Sequence, residues 1–149
     1  MGETRDRLLA ELLDREAIRN LAIRYADRVW QNDVDGVVAL FTNDGEFIFS
    51  GSTELLQVKG RENLTVFFER GFERLGRPLP FVHNHLVEMT DAHRATGIAS
   101  LEVRSGRREL QLVAVGSYRD EYEKVGGEWK FKRRTATLLR FDDSAAPHA

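Results

Sequence analysis

From Phe81 to Phe141 the chain is written almost entirely in strand. Four segments, Phe81–Thr90, Arg94–Arg104, Glu109–Tyr122 and Glu128–Phe141, are separated only by Asp91-Ala92-His93, Ser105-Gly106-Arg107 and Val125-Gly126-Gly127. Separators of hairpin length, two of them with glycine, join antiparallel neighbours and leave no room for a crossover helix. Each segment has ten residues or more, longer than the usual strand of about five or six. A sheet of such strands must twist and coil, and helices placed before it in the chain can then cover its concave face.

Those helices are legible upstream. From Thr4 to Gln31, Ile18, Leu21, Ala22, Tyr25 and Val29 recur at three- and four-residue spacing and form one stripe, with Trp30 at its edge. Asn32-Asp33 breaks the pattern. Asp33 or Asp35 caps a short second helix containing Val37, Val38, Leu40 and Phe41, and Thr42-Asn43-Asp44-Gly45 reads as a turn. Glu46–Ser50 alternates as a strand with Phe47 and Phe49 on one face, and Gln57–Gly60 is a second short strand. A third helix, Arg61–Arg74, packs Leu64, Phe67, Phe68 and Phe72 on the sheet and stops at Arg77-Pro78-Leu79-Pro80. One α+β domain over 1–149 is expected, with 142–149 a flexible tail.

Composition narrows the function classes. The chain has 149 residues, 42% of them hydrophobic and 31% charged, as in one ordinary globular domain. It has no cysteine, which removes disulfides, thiolate metal sites and cysteine nucleophiles and fits the reducing cytoplasm. A net charge of −2 gives no electrostatic reason to bind nucleic acid, since Glu121, Glu123 and Glu128 offset the basic stretch Lys130–Arg134. No apolar run is long enough to cross a membrane, and MGETRDRLLAELLDRE does not have the form of a signal peptide. No phosphate loop, nucleophile elbow or calcium loop occurs. The expected partner is a small apolar ligand, without a cofactor. Self-association to a dimer or trimer is expected to bury the outer face of the sheet.

The order helix–helix–strand–helix–four long strands resembles the SnoaL-like branch of the NTF2-like superfamily, which includes scytalone dehydratase, hexachlorocyclohexane dehydrochlorinase and bile-acid 7α-dehydratase. The resemblance spans about residues 13–141. It rests on Asp14-Arg15-Glu16-Ala17-Ile18, on Asp33-Val34-Asp35 with Leu40-Phe41, and on Gly116-Ser117-Tyr118-Arg119-Asp120-Glu121-Tyr122-Glu123 leading to Gly127-Glu128-Trp129-Lys130-Phe131. It implies a cone: a strongly curved antiparallel sheet wrapped around N-terminal helices that enclose a pocket. It also implies proton-transfer chemistry on a polyketide, terpenoid, steroid or aromatic ring, as a cofactor-independent lyase, isomerase or cyclase. These relatives share an Asp near the end of the first helix and a His at the start of the strand after the third helix. Alignment puts Trp30 and Pro80 at those two positions, so both members of the dyad are missing. A non-catalytic binding or accessory module therefore stands beside the enzyme as an alternative.

Among candidate catalytic residues, Tyr25 lies on the buried stripe and matches a tyrosine that looks functional in the bile-acid dehydratase. A phenol there donates to a substrate oxygen or else satisfies a backbone carbonyl in the core. His83 and His85, two apart, share a strand face and offer a base or a partial metal site, but no third ligand is evident and no metal is expected. Arg134 matches the arginine on the last strand of the dehydrochlorinase. Strict alternation puts it on one face with Lys130 and Lys132, which argues against a dry pocket unless a bulge intervenes. Trp30 is expected to fill the cavity or stack on the ligand. Phe47, Phe49, Leu101, Val103, Ala114 and Tyr118 are expected to line it, with core packing as the plainer role for each. Glu102 and Glu109 read as solvated or interfacial.

Overall fold

The computed structural model describes residues 1–50 and 55–141. The order is α1 (Gly2–Trp30), α2 (Val34–Val38), β1 (Phe41–Ser50), β2 (Leu55–Lys59), α3 (Arg61–Arg74), β3 (Pro78–Met89), β4 (Arg94–Ser105), β5 (Leu112–Val125) and β6 (Glu128–Phe141). One six-stranded sheet carries the order β2-β1-β6-β5-β4-β3. The expected run of hairpins is present, β3 to β6 pairing in sequence as antiparallel neighbours. The sheet is not purely antiparallel, however, because β1 joins β6 in parallel. The expected tail over 142–149 lies outside the described residues. No helix among the described residues is long and apolar enough to cross a membrane.

Local chemistry explains most of the boundaries. Asn32 takes a positive φ of 58° at the end of α1, a conformation asparagine tolerates. Asp33 then caps α2, its Oδ1 accepting from the Gly36 N–H at 2.9 Å. The second helix is shorter than the spacing predicts, because Phe41 already pairs with Phe131 of β6. Residues 42–45, expected as a turn, lie within β1 as an irregularity, since pairing with β6 resumes only at Glu46. β3 begins at Pro78, where a helix stop alone was expected. It is an edge strand, so its prolines leave no ladder partner wanting. β5 starts at Leu112, which places Glu109 in the preceding turn with a φ of 52°. Gly126 and Gly127, at φ 58° and 81°, make the two-residue β5–β6 hairpin turn that needs both central residues left-handed.

The sheet bends where its register slips. Shifts occur at Val82/His85, Val103/Arg104, Val115/Gly116 and Glu121/Tyr122. Each extra residue kinks a strand and increases local twist. The concave face thus wraps one apolar core, in which Ile18, Leu21, Tyr25 and Val29 of α1 and Leu64, Phe68 and Phe72 of α3 meet Phe41, Phe131, Leu101 and Val113.

The slip at Val115/Gly116 brings two backbones together. A Cβ on Gly116 would meet the Thr137 carbonyl oxygen and lie 2.8 Å from Leu138 Cα. Backbone cannot swing aside as a side chain can, so Gly116→Ala should lower the urea-unfolding free energy by about 1–3 kcal/mol or more. Gly71→Ala should move the same measurement the other way, by about 0.5–1 kcal/mol, because it adds a helix former where nothing lies within 4 Å. Equal effects at the two positions would contradict this packing.

Candidate functional site

A cavity of about 110 Å³ lies between the concave face and the two long helices. Its buried floor includes Tyr25 and Val29 from α1, Phe68 and Phe72 from α3, and Leu101, Val103, Ala114 and Tyr118 from the sheet. Half-buried Phe49, Phe67, Gly71, Leu75 and Leu138 also line it and mark the side from which it is entered. All six apolar or aromatic sheet positions expected at the lining, Phe47 and Phe49 among them, are there, and so is Tyr25.

Behind the two phenols lies a buried charge. Arg134 is 0% exposed, and its guanidinium carbon sits 3.6 Å from the Tyr118 ring centre, 4.3 Å from Tyr25 and 4.5 Å from Phe131. Its Nε donates to Asp120 Oδ1 at 3.0 Å and its Nη2 to Oδ2 at 3.3 Å. The third nitrogen, Nη1, is buried without a hydrogen-bond partner among the described residues. Three ring faces supply the cation with cation–π attraction on the sides the carboxylate does not cover. Asp120 Oδ2 also accepts from the Tyr122 hydroxyl at 2.7 Å, and that oxygen lies 3.0 Å from His85 Nε2. With the Tyr122 proton committed to Asp120, the imidazole acts as donor to Tyr122. The result is a row, Arg134–Asp120–Tyr122–His85, running beside the cavity wall.

These surroundings set the ionisation of each group. Burial raises Tyr25 well above the ordinary phenol range, the adjacent Tyr118 adds to this, and Arg134 opposes it. Burial likewise raises Tyr118, again against the pull of Arg134. Burial and the charge of Asp120 raise Tyr122. Burial lowers His85; Asp120 opposes the shift, while Arg134 and Arg19 add to it. For Arg134, burial works against the cation, but Asp120 and the three tyrosines raise its pKa overall. At neutral pH the site therefore holds neutral phenols, a neutral imidazole and one closed ion pair.

Three expectations change. Arg134 does point inward, because Phe131 pairs with Tyr122 and Arg133 with Glu121, leaving Lys132 as an extra residue. Lys132 and Arg133 stay exposed, so the three cations of simple alternation never share a face. The same device separates the histidines. Val82 pairs with Leu101 and His85 with Ala99, so a bulge at His83–Asn84 turns His83 to the outer face and His85 to the inner one. His83 lies 3.6 Å from Glu102 outside, and the two rings cannot share a metal or a substrate. Among the described residues no group of three potential ligands forms. Neither histidine lines the cavity. Trp30 does not fill it either: the indole is 39% exposed, packs edge-on against Phe81 and donates to the Pro80 carbonyl at 2.7 Å. The residues at the two expected dyad positions therefore do meet, but without acid or base. Asp120 and Tyr122 were missed as site residues. Alternation from Tyr118, already placed on the lining, puts both on the inward face.

The model of the SnoaL-like domain family matches residues 10–135. No curated protein matches the chain. Among solved structures, a protein of unknown function from Mycobacterium tuberculosis is 24% identical, with a TM-score of 0.77 over 93% of this chain and 79% of that one. An NTF2-like protein with a cystatin-like fold from Novosphingobium aromaticivorans is 22% identical, with a TM-score of 0.76 over 93% and 90%. A hexachlorocyclohexane dehydrochlorinase from Novosphingobium barchaimii is 22% identical, with a TM-score of 0.76 over 95% and 97%. At such identities the structural likeness speaks for the fold, while the family model covers most of the sequence. The chain belongs to the SnoaL-like domain family.

Proposed function

We propose that the chain binds a small apolar molecule in its cone, with a ligand oxygen held by the phenols of Tyr25 and Tyr118. The observation that carries this is the cavity itself: apolar throughout, with the rings of Tyr25 and Tyr118 in its wall and a fixed cation behind them. Apolar cavities of about 150 Å³ accept benzene. The space of about 110 Å³ is smaller than that, so it takes at most a single ring, with the remainder of a larger ligand passing between Phe49, Leu75 and Leu138. Arg134 draws on both phenols against the effect of burial. Burial keeps both protonated while Arg134 polarises them, and since Tyr25 is hydrogen-bonded to Tyr118 the pair has the Tyr118 proton to offer a carbonyl or hydroxyl oxygen as a donor, not as a base.

Lyase or isomerase chemistry without a cofactor is a second reading, favoured by the fold shared with a relative named for dehydrochlorination. No imidazole or carboxylate lines the cavity among the described residues. Under this reading the phenols polarise a carbonyl, and the proton moves between substrate atoms or to water. Abstraction by His85 is excluded by its position behind Tyr122 and Asp120.

Calorimetry with phenol and toluene separates ligand binding from simple packing. Wild type should prefer phenol, and Tyr25→Phe/Tyr118→Phe should reduce that preference about threefold to tenfold, the worth of one neutral hydrogen bond, while leaving toluene binding intact. Gly71→Leu, built into open space at the lining, should fold and lose both ligands. Binding of neither ligand by wild type, or a phenol preference that survives the double variant, defeats the proposal. A panel of cyclic enones assayed with the same variants tests the catalytic reading by turnover.

His85 yields a separate prediction. Its folded pKa is lowered, so the unfolded chain takes up the proton first. The associated stability is complete above about pH 6.5 and is lost as pH falls below it. The urea midpoint should drop from pH 7 to pH 5, and His85→Gln should show less of that drop with ligand binding unchanged. Identical pH slopes for the two proteins would count against the buried, neutral imidazole.

A further inference from the structure

We propose that α1 pairs antiparallel with α1 of a second copy of this chain, about a two-fold axis passing between Ala10 and Glu11. Every residue from Met1 to Ala10 is exposed, and the first buried residue of α1 is Ile18. The first third of the helix thus projects past the body of its own domain. Along it Leu8, Leu9, Leu12 and Leu13 are 58%, 53%, 60% and 61% exposed. At ~100° per residue Leu9, Leu12 and Leu13 fall on the side of α1 away from Ile18, Leu21, Tyr25 and Val29, with Leu8 at the edge of that side. Arg5, Glu16 and the exposed Ile23 lie on that same outer side. The helix therefore carries two apolar stripes, one spent on the sheet and one facing away from it, where a lone surface helix needs only the first.

The identity of the occupant follows from the sequence of the stripe. An antiparallel pair centred between Ala10 and Glu11 sets Leu8 against the partner's Leu13 and Leu9 against the partner's Leu12. The same register sets Arg5 against the partner's Glu16, and by symmetry Glu16 against the partner's Arg5. Neither Arg5 nor Glu16 has an ion pair within the chain among the described residues. Arg15, on the flank, is by contrast already committed to Glu11 at 3.0 Å and to the Val87 carbonyl at 2.7 Å. A parallel pair would set Arg5 beside Arg5 and Glu16 beside Glu16, like charge against like, which is unfavourable. The stripe is complementary to its own reverse, the condition for an isologous two-fold contact. The two domains then lie on opposite outer sides of the helix pair, with the leucines and the two Arg5–Glu16 pairs between them.

Light scattering after size exclusion tests this on the intact chain. Wild type at about 100 µM, above the micromolar dissociation constants of modest interfaces, should give twice the chain mass of 17.1 kDa. Leu9→Asp/Leu12→Asp should give the single mass while still unfolding in one cooperative thermal transition, since both side chains are exposed in the single chain. Arg5→Glu should weaken the dimer about tenfold, and Arg5→Glu/Glu16→Arg should restore it. A monomeric wild type overturns the proposal, including one that binds vesicles of anionic lipid through the stripe. A dimer indifferent to Leu9→Asp/Leu12→Asp, or a charge exchange that fails to restore pairing, overturns it as well.

Discussion

The ion pair between Arg134 and Asp120 holds the concave face in register with itself. Both side chains are completely buried, with N–O distances of 3.0 and 3.3 Å, inside a cage of Tyr25, Tyr118, Tyr122 and Phe131. Removing two charges from water costs more than their attraction returns unless geometry and further bonds compensate. Here the compensation is visible in the Tyr122 hydroxyl on Asp120 and the ring faces on Arg134. Breaking such a pair from one side leaves an uncompensated buried charge, worth about 3–5 kcal/mol. The aromatic wall of the cavity is thus the shell of a buried charge pair, and its phenols are fixed by that pair as much as by packing.

The pair exists only because β6 carries one residue too many. With strict alternation Arg134 would share a face with Lys132. The extra residue at Lys132 lets Phe131 and Arg134 both face inward while two cations stay in water. The bulge at His83–Asn84 does the reverse, parting two residues that alternation would keep together. Curvature and side-chain address therefore share one cause. The irregularities that bend the sheet into a cone also decide which polar groups face its interior.

This explains which parts of the molecule could be read in advance. Hairpin-length separators and the α1 stripe are local signals, so the strand order from β3 to β6, α1 and α3 were legible, as were Phe47, Phe49, Leu101, Val103, Ala114 and Tyr118 at the lining, whereas Pro78, Pro80, Ala136 and Leu138 were not. Bulges are set by pairing between distant segments, and no residue type marks Lys132 or Asn84 as extra. Arg134, His83 and His85 were accordingly uncertain in a way that composition could not cure. The parallel β1–β6 contact was hidden for the same reason, being a meeting of two strands some ninety residues apart. Asp120 is different: it was missed, yet it sits two residues from Tyr118 and two from Tyr122, and the inward parity of that strand is the signal that marks it.

The contact between the Trp30 indole and the Pro80 carbonyl bears on how such folds diverge. Helix end and strand start are still docked within one side chain's reach, although neither position offers a titrating group. The helix end and the strand start are held together here by an indole and a carbonyl, so the backbone frame does not depend on the chemistry of the side chains placed at those two positions. Exchanging two residues on such a frame is a far shorter route to acid–base chemistry than assembling one on an unrelated pocket, and drift in the opposite direction is equally short.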